Sequence, residues 1–175
     1  MRVVLIFDQG LAGAGGKSNP MAPLKAEKGG IGSYLMLKPH LDEVCAEVLA
    51  TLYCGNEYYL ANKKEVILKM AAMVKKLNPD IVICGPCFNY LDYGQMSANI
   101  AKVIKEKTDI GAVAMMSSEN SDTIEKFKND IPIIKMPKKG GTGLNESFDH
   151  LIKWMKYYYS NNSDLKELES EICYN

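Results

Sequence analysis

The stretch Asp80-Ile-Val-Ile-Cys-Gly-Pro-Cys-Phe-Asn-Tyr90 decides how the rest of the chain is read. Its first half is a short, β-branched apolar run, the pattern of a strand buried on both faces, and its second half is turn chemistry. It also spells Cys-Gly-Pro-Cys, a redox sequence when the first thiol sits at the amino end of a helix and is held as thiolate. Here the next helical pattern begins at Gln95, after Phe88 to Gly94, which leaves both sulfurs in a loop. A strand residue at Cys84 and a small loop residue at Cys87 is the simpler reading, because free cysteine behaves as a small hydrophobe. A Cys84–Cys87 thiol pair, with Cys54 approaching from another strand end, stays open as the redox alternative.

Four more apolar runs resemble this one: Val3 to Phe7, Val48 to Tyr53, Ala112 to Met115 and Ile131 to Ile134. Helical patterns lie between them. Lys63 to Leu77 carries a stripe of Val66, Ile67, Met70, Met73, Val74 and Leu77, Gln95 to Lys107 follows, then Thr123 to Asn129, and Leu144 to Tyr159 closes the series. Strands alternating with helices predict an α/β fold, a doubly wound sheet of the flavodoxin-like or Rossmann-like kind. About five mostly parallel strands, with helices on both faces, are expected in the order 2-1-3-4-5. Residues 1–160 read as one domain containing a long Gly-rich loop over 9–38. Residues 161–175 read as a polar tail or short helix, with Leu165, Leu168 and Ile172 at helical spacing.

The chain has 175 residues, enough for one core, and its 21 basic and 21 acidic side chains cancel. No net field draws it to nucleic acid or an anionic membrane. No apolar run approaches the length of a membrane span, so a cytoplasmic protein is expected. Five cysteines, an odd number, point to free thiols, metal ligands or catalysis before structural disulfides.

Ligands of open parallel sheets bind outside the carboxyl ends of the strands. Those ends carry Asp8, Cys54, Cys84 with Gly85-Pro-Cys87, Glu119-Asn120 and Gly140-Gly141. Gly10 to Ser18 ends in Gly-Lys-Ser but fails as a phosphate loop, because its first glycine position falls on Leu11 and Pro20 and Pro23 bar the helix that must follow. Gly13-Ala-Gly15 fails as a dinucleotide fingerprint, with Ser18 where the third glycine belongs. Cys54, Cys84, Cys87, His40 and His150 lack the paired spacing of a zinc site, so no metal is expected. No G-x-S-x-G elbow is present, and the acids Asp8, Asp92 and Glu119 stand alone.

Taken in order, Val3-Val-Leu-Ile-Phe-Asp-Gln9 with Gly15-Gly16, Ala50-Thr-Leu-Tyr-Cys-Gly55 with Asn56-Glu-Tyr-Tyr59, Asn78 to Asn89 with Tyr93-Gly94, and Glu119-Asn120 resemble one family. It is selenoprotein B of the glycine/sarcosine/betaine reductase complexes, in its amino-terminal part. Gly85, Pro86, Phe88, Asn89, Tyr93 and Gly94 match that family's third block, and Cys87 stands where alanine is usual. The resemblance therefore implies that Cys-Gly-Pro-Cys is a variant of a different loop. It runs from Val3 to about Asn120, and more loosely through Ile131 to Lys135 and Gly141-Thr-Gly143.

The resemblance implies a share in reductive C–N cleavage of glycine, sarcosine or betaine. A pyruvoyl-bearing companion subunit and selenoprotein A would be partners. The reactive selenocysteine lies in the carboxyl-terminal half of the family, which this chain lacks, so the chain reads as a fragment or a stand-alone half. The pyruvoyl group and selenocysteine would come from other polypeptides or that half, with no cofactor bound by this chain, which would be inactive alone. A homo-oligomer is compatible with this.

Amides near Gly13, Gly15, Gly16 and Gly85, with Asn89 and Asn120, are the candidates for holding a small carboxylate, Tyr93 for shaping the pocket, and Glu119 is a further substrate-binding candidate. Catalytic candidates are limited to Cys54, Cys84 and Cys87. A carboxylate-binding or subunit-binding module without catalysis is the alternative, and each of these residues has turn-building as its competing role.

Overall fold

The computed structural model describes residues 1–175. In chain order it comprises β1 (Arg2–Asp8), β2 (Lys25–Lys28), α1 (Tyr34–Asp42), β3 (Glu47–Cys54), α2 (Asn56–Ala61), α3 (Lys63–Leu77) and β4 (Ile81–Cys84). Then come α4 (Leu91–Lys107), β5 (Gly111–Ser117), α5 (Ser121–Phe127), β6 (Ile133–Met136), α6 (Leu144–Tyr159) and α7 (Leu165–Ile172). The sheet has six strands in the order β2-β3-β1-β4-β5-β6. With β2 set aside, the five parallel strands run 2-1-3-4-5, the flavodoxin-like order expected from the sequence.

The sixth strand corrects the reading of 9–38 as one irregular loop. β2 lies inside it and pairs antiparallel with β3, Lys25 opposite Tyr53 and Lys28 opposite Ala50. All four of its residues are exposed, and a charged edge strand of this kind discourages further strand pairing. The same segment also supplies the first turns of α1.

Chain direction assigns the layers. The β1 to β3 crossover steps one way along the sheet, and the crossovers from β3 to β4, β4 to β5 and β5 to β6 step the other way. Right-handed connections therefore put α1 on one face and α3, α4 and α5 on the opposite one. Packing agrees: α3 lies against α4 and α4 against α5, while α1 lies against α6 and α6 against α7. Val3 to Phe7 of the central strand are wholly buried, as a strand covered on both faces requires.

α3 stops at Asn78, which takes a left-handed φ of 48° and donates its N–H to the Val74 carbonyl. The Arg2 guanidinium donates to the Leu77 and Asn78 carbonyls at 2.9 Å each, meeting acceptors that the helix end leaves open. α4 begins at Leu91, four residues before the expected Gln95. The chain beyond residue 160 is a packed helix: Leu168, Ile172 and Cys173 are buried, Trp154 Nε1 donates to Glu169 at 2.8 Å, and Cys173 bridges Ile134 of β6.

Candidate functional site at the strand ends

β1 and β4 are parallel neighbours, so the Gly-rich stretch after Asp8 and the turn after Cys84 leave the same edge of the sheet, where strand order reverses. Asp8 ends β1 almost wholly buried, and its Oδ1 accepts the Leu11 N–H at 2.7 Å. Burial raises its carboxyl above the ordinary range, more than the hydrogen bonds from the following turn and Asn56 hold it down. Gln9 Oε1 accepts the Asn56 N–H at 3.0 Å, and the Pro20 carbonyl accepts those of Glu57 and Tyr58 at 3.0 and 3.1 Å. The Gly-rich stretch thus plugs the amino end of α2. A Cβ on Gly55 would sit 2.0 Å from the Pro20 oxygen, so that contact needs glycine.

The thiols at this edge are sealed. Cys54, Cys84 and Cys87 are free and completely buried. Burial pushes Cys54 and Cys87 up to about 12, with the Asp8 charge adding to each, and moves Cys84 well above its usual value. A redox or nucleophilic cysteine needs the opposite shift and access to solvent. The geometry therefore removes the physical basis for Cys54, Cys84 or Cys87 as catalytic groups.

Tyr93, expected to shape the pocket, and Asn120, expected to hold the carboxylate, both serve as internal ties. Tyr93 is fully buried and its hydroxyl donates to the Ile6 carbonyl at 2.7 Å. Asn120, equally buried, donates its amide to the Phe88 and Ser117 carbonyls. Phe88 has a left-handed φ of 44°, an uncommon conformation for an aromatic residue that its surroundings must hold in place. Two side chains do so, because Ser117 Oγ also lies 2.7 Å from the Phe88 carbonyl oxygen.

Ser117 Oγ is also 2.7 Å from Glu119 Oε2, and the Glu119 carboxylate accepts the Lys139 N–H at 3.2 Å. The segment Ser117-Ser-Glu-Asn120 is therefore a brace that fixes two rim loops, one after β4 and one after β6. Between them is a cleft of about 340 Å³, lined by Phe88, Asn89, Tyr90, Lys138, Gly140 and Leu144 among others. Asn89 is the predicted residue that faces it, half-buried and with no hydrogen bond from its side chain.

Gly85 packs where a Cβ would meet the Met115 carbonyl at 2.9 Å, and Glu119 is engaged by Ser117 and the Lys139 N–H. Gly13, Gly15 and Gly16 lie on the separate β1 loop, Gly15 exposed at its tip. Sequence reasoning missed Ser117 and the lysines of the second wall; Lys138 and Lys139 follow a strand and precede Gly140-Gly141, which is a findable signal. The largest depression, about 790 Å³, is elsewhere, among Lys75, Asp80, Lys107 and Tyr158 at the amino ends of β4 and β5. Size alone does not outweigh position, because crevices at the carboxyl ends are the ones built by convergent loops. No helix is long and apolar enough to cross a membrane.

The family described as glycine/sarcosine/betaine reductase selenoprotein B matches residues 1–173. The chain is similar to the sarcosine reductase complex component B subunit beta of Peptoclostridium acidaminophilum, 33% identical over 135 residues, which are 77% of this chain and 30% of that protein. It is also similar to the glycine reductase complex component B subunit gamma of Peptoclostridium litorale, 30% identical over 162 residues, 90% of this chain and 36% of that one. The chain spans about a third of the length of these relatives. A signal receiver domain of a modulated diguanylate cyclase from Desulfovibrio desulfuricans G20 superposes with a TM-score of 0.41 at 18% identity, covering 89% of this chain and 95% of that one.

Proposed function

The chain belongs to the glycine/sarcosine/betaine reductase selenoprotein B family, and from that premise we propose that it is the strand-end domain of a reductase component B. In this reading it takes part in reductive C–N cleavage by seating the carboxylate of a small amino acid or its N-methyl derivative. The observation that carries the reading is the braced cleft. Ser117, Glu119 and Asn120 hold the Phe88-Asn89 turn against the 138–141 loop, and Asn89 lines the gap with an unengaged amide while Lys138 lines it from the other loop. An amide donor and a lysine on opposing walls suit a carboxylate, and the cleft is small enough for a compact ligand.

The strand-end thiols of Cys54, Cys84 and Cys87 are buried, and burial holds them well above the ordinary cysteine range, which supports assigning the reducing chemistry elsewhere. Selenocysteine and a pyruvoyl group would be supplied by partner polypeptides in a multi-subunit, cytoplasmic complex. The same buried thiols favour the second reading, a carboxylate- or subunit-binding module without its own catalysis.

Co-expression with a pyruvoyl-bearing companion and a selenocysteine-bearing polypeptide tests the first reading. Copurification, with calorimetric binding of glycine, sarcosine or betaine by the assembly, is expected. Binding without turnover in the complete assembly would favour the second reading, and neither copurification nor binding would end both.

A further inference from the structure

Away from the rim, on the face that carries α1 and α6, the two helices meet at His40. Its side chain is 15% exposed and leans on the Phe148 ring, with centroids 5.3 Å apart. The Nδ1 atom is enclosed yet makes no hydrogen bond. Asp149 Oδ1 of α6 lies 3.2 Å from it, and Glu43 Oε1, one turn along from His40, lies 3.8 Å from it. The three ligand atoms all fall within 4.8 Å of one another.

Two carboxylates thus converge on one imidazole nitrogen without an aligned hydrogen bond between them. With its proton on Nε2, the imidazole offers Nδ1 as a lone pair, which two anions oppose and a cation would satisfy. A cation bound at about 2.0–2.2 Å from each ligand would set the ligands roughly 3–3.6 Å apart; the His40–Asp149 pair at 3.2 Å already has that spacing, and Glu43 at 3.8 Å needs only a small movement of an exposed side chain.

We propose that His40, Glu43 and Asp149 form a binding site for a divalent transition-metal cation, of the zinc or manganese class. One imidazole with two carboxylates suits these ions, whereas calcium and magnesium take oxygen ligands. Glu43 and Asp149 are more than half exposed, which leaves the remaining coordination positions to water. The ion would cross-link α1 to α6. The site shares no residue with the strand-end cleft, so it stands independently of the reductase reading.

The full chain, stripped with EDTA and held at pH 7.5, is titrated with zinc chloride by calorimetry and followed by thermal unfolding. One ion per chain is expected, and a rise in midpoint of roughly 5–10 °C at free zinc about a hundredfold above the dissociation constant, reversed by EDTA. Asp149→Asn, at an exposed position, and His40→Gln should each weaken zinc at least about tenfold. His150→Gln and Cys45→Ser should bind as the parent does.

Absence of saturable uptake would overturn the proposal. Uptake that survives Asp149→Asn, or that is lost in Cys45→Ser, would overturn it too.

Discussion

The two loops that flank the strand-order reversal use glycine and asparagine in opposite ways. In the stretch after β1, polar groups turn inward: Asp8 holds Leu11, Gln9 holds Asn56, and Pro20 closes the amino end of α2. In the turn after β4, the inward groups belong to a neighbouring segment, Ser117 to Asn120, which leaves Asn89 facing a cleft. A loop rich in glycine is thus a packing device here, whereas the shorter turn is held from outside and keeps a side chain in reserve. A loop's composition does not reveal a binding surface; the origin of its hydrogen bonds does.

The sharpest way to break this contrast is Gly55→Ala. Its Cβ would meet the Pro20 oxygen at 2.0 Å and the Ala22 nitrogen at 2.7 Å, both backbone atoms that cannot swing aside. Lifting the Gly-rich stretch off α2 should cost about 3 kcal/mol or more, read as a lower urea midpoint. A cost under about 1 kcal/mol would mean that the stretch is loosely attached and free to serve as a ligand loop.

On the other side of the comparison, Asn120→Ala removes a donor from the Phe88 carbonyl and leaves Ser117 alone to hold a left-handed aromatic residue. A loss of about 2 kcal/mol is expected, with Ser117→Ala nearer 1 kcal/mol. Any bound carboxylate should weaken in step, because the cleft wall moves with Phe88.

Much of this architecture was legible in advance, and the gaps have physical causes. α3 and α6 match the expected Lys63–Leu77 and Leu144–Tyr159 because an apolar stripe runs through each. β2 was invisible because Lys25-Ala-Glu-Lys28 has no buried face, and only its pairing with β3 makes it a strand. The start of α4 was misplaced because Gly94 reads as a breaker. It is a helical residue in close contact, with Asn120 Oδ1 2.3 Å from where its Cβ would be. At the site, residue types were readable and directions were not: Tyr93, Asn89 and Asn120 share the family motifs, yet two point into the protein and one into the cleft.

A smaller effect concerns Asp8, the inward anchor of the Gly-rich stretch. Its folded pKa is raised above the ordinary 3.8 by burial, so the folded state holds the proton more tightly than the unfolded chain does. Asp8 therefore contributes stability that is fully present below the unfolded pKa and is lost as pH rises through the folded value. In Asp8→Asn that part of the profile should flatten, so the difference in stability between parent and variant, followed by denaturant titration from pH 3.5 to 7, should shift in the variant's favour as pH rises. A difference that stays constant across this range would mean that Asp8 titrates as it does in the unfolded chain and that its burial has no energetic consequence.

The smallest expected change in stability is the most informative about function. Asn89→Ala removes a half-buried side chain that makes no hydrogen bond, so unfolding should shift by no more than about 0.5 kcal/mol. Gly16→Ala, where an added Cβ meets nothing within 4 Å but φ is 52°, should cost about 1 kcal/mol through backbone strain alone. If the turn after β4 carries the ligand and the loop after β1 does not, the two variants separate cleanly. Asn89→Ala would lose roughly tenfold or more in carboxylate affinity at unchanged stability, the loss of one hydrogen bond to a charged group, while Gly16→Ala would lose stability at unchanged affinity. The reverse pattern would move the receptor to the Gly-rich stretch and reduce the brace to a structural tie.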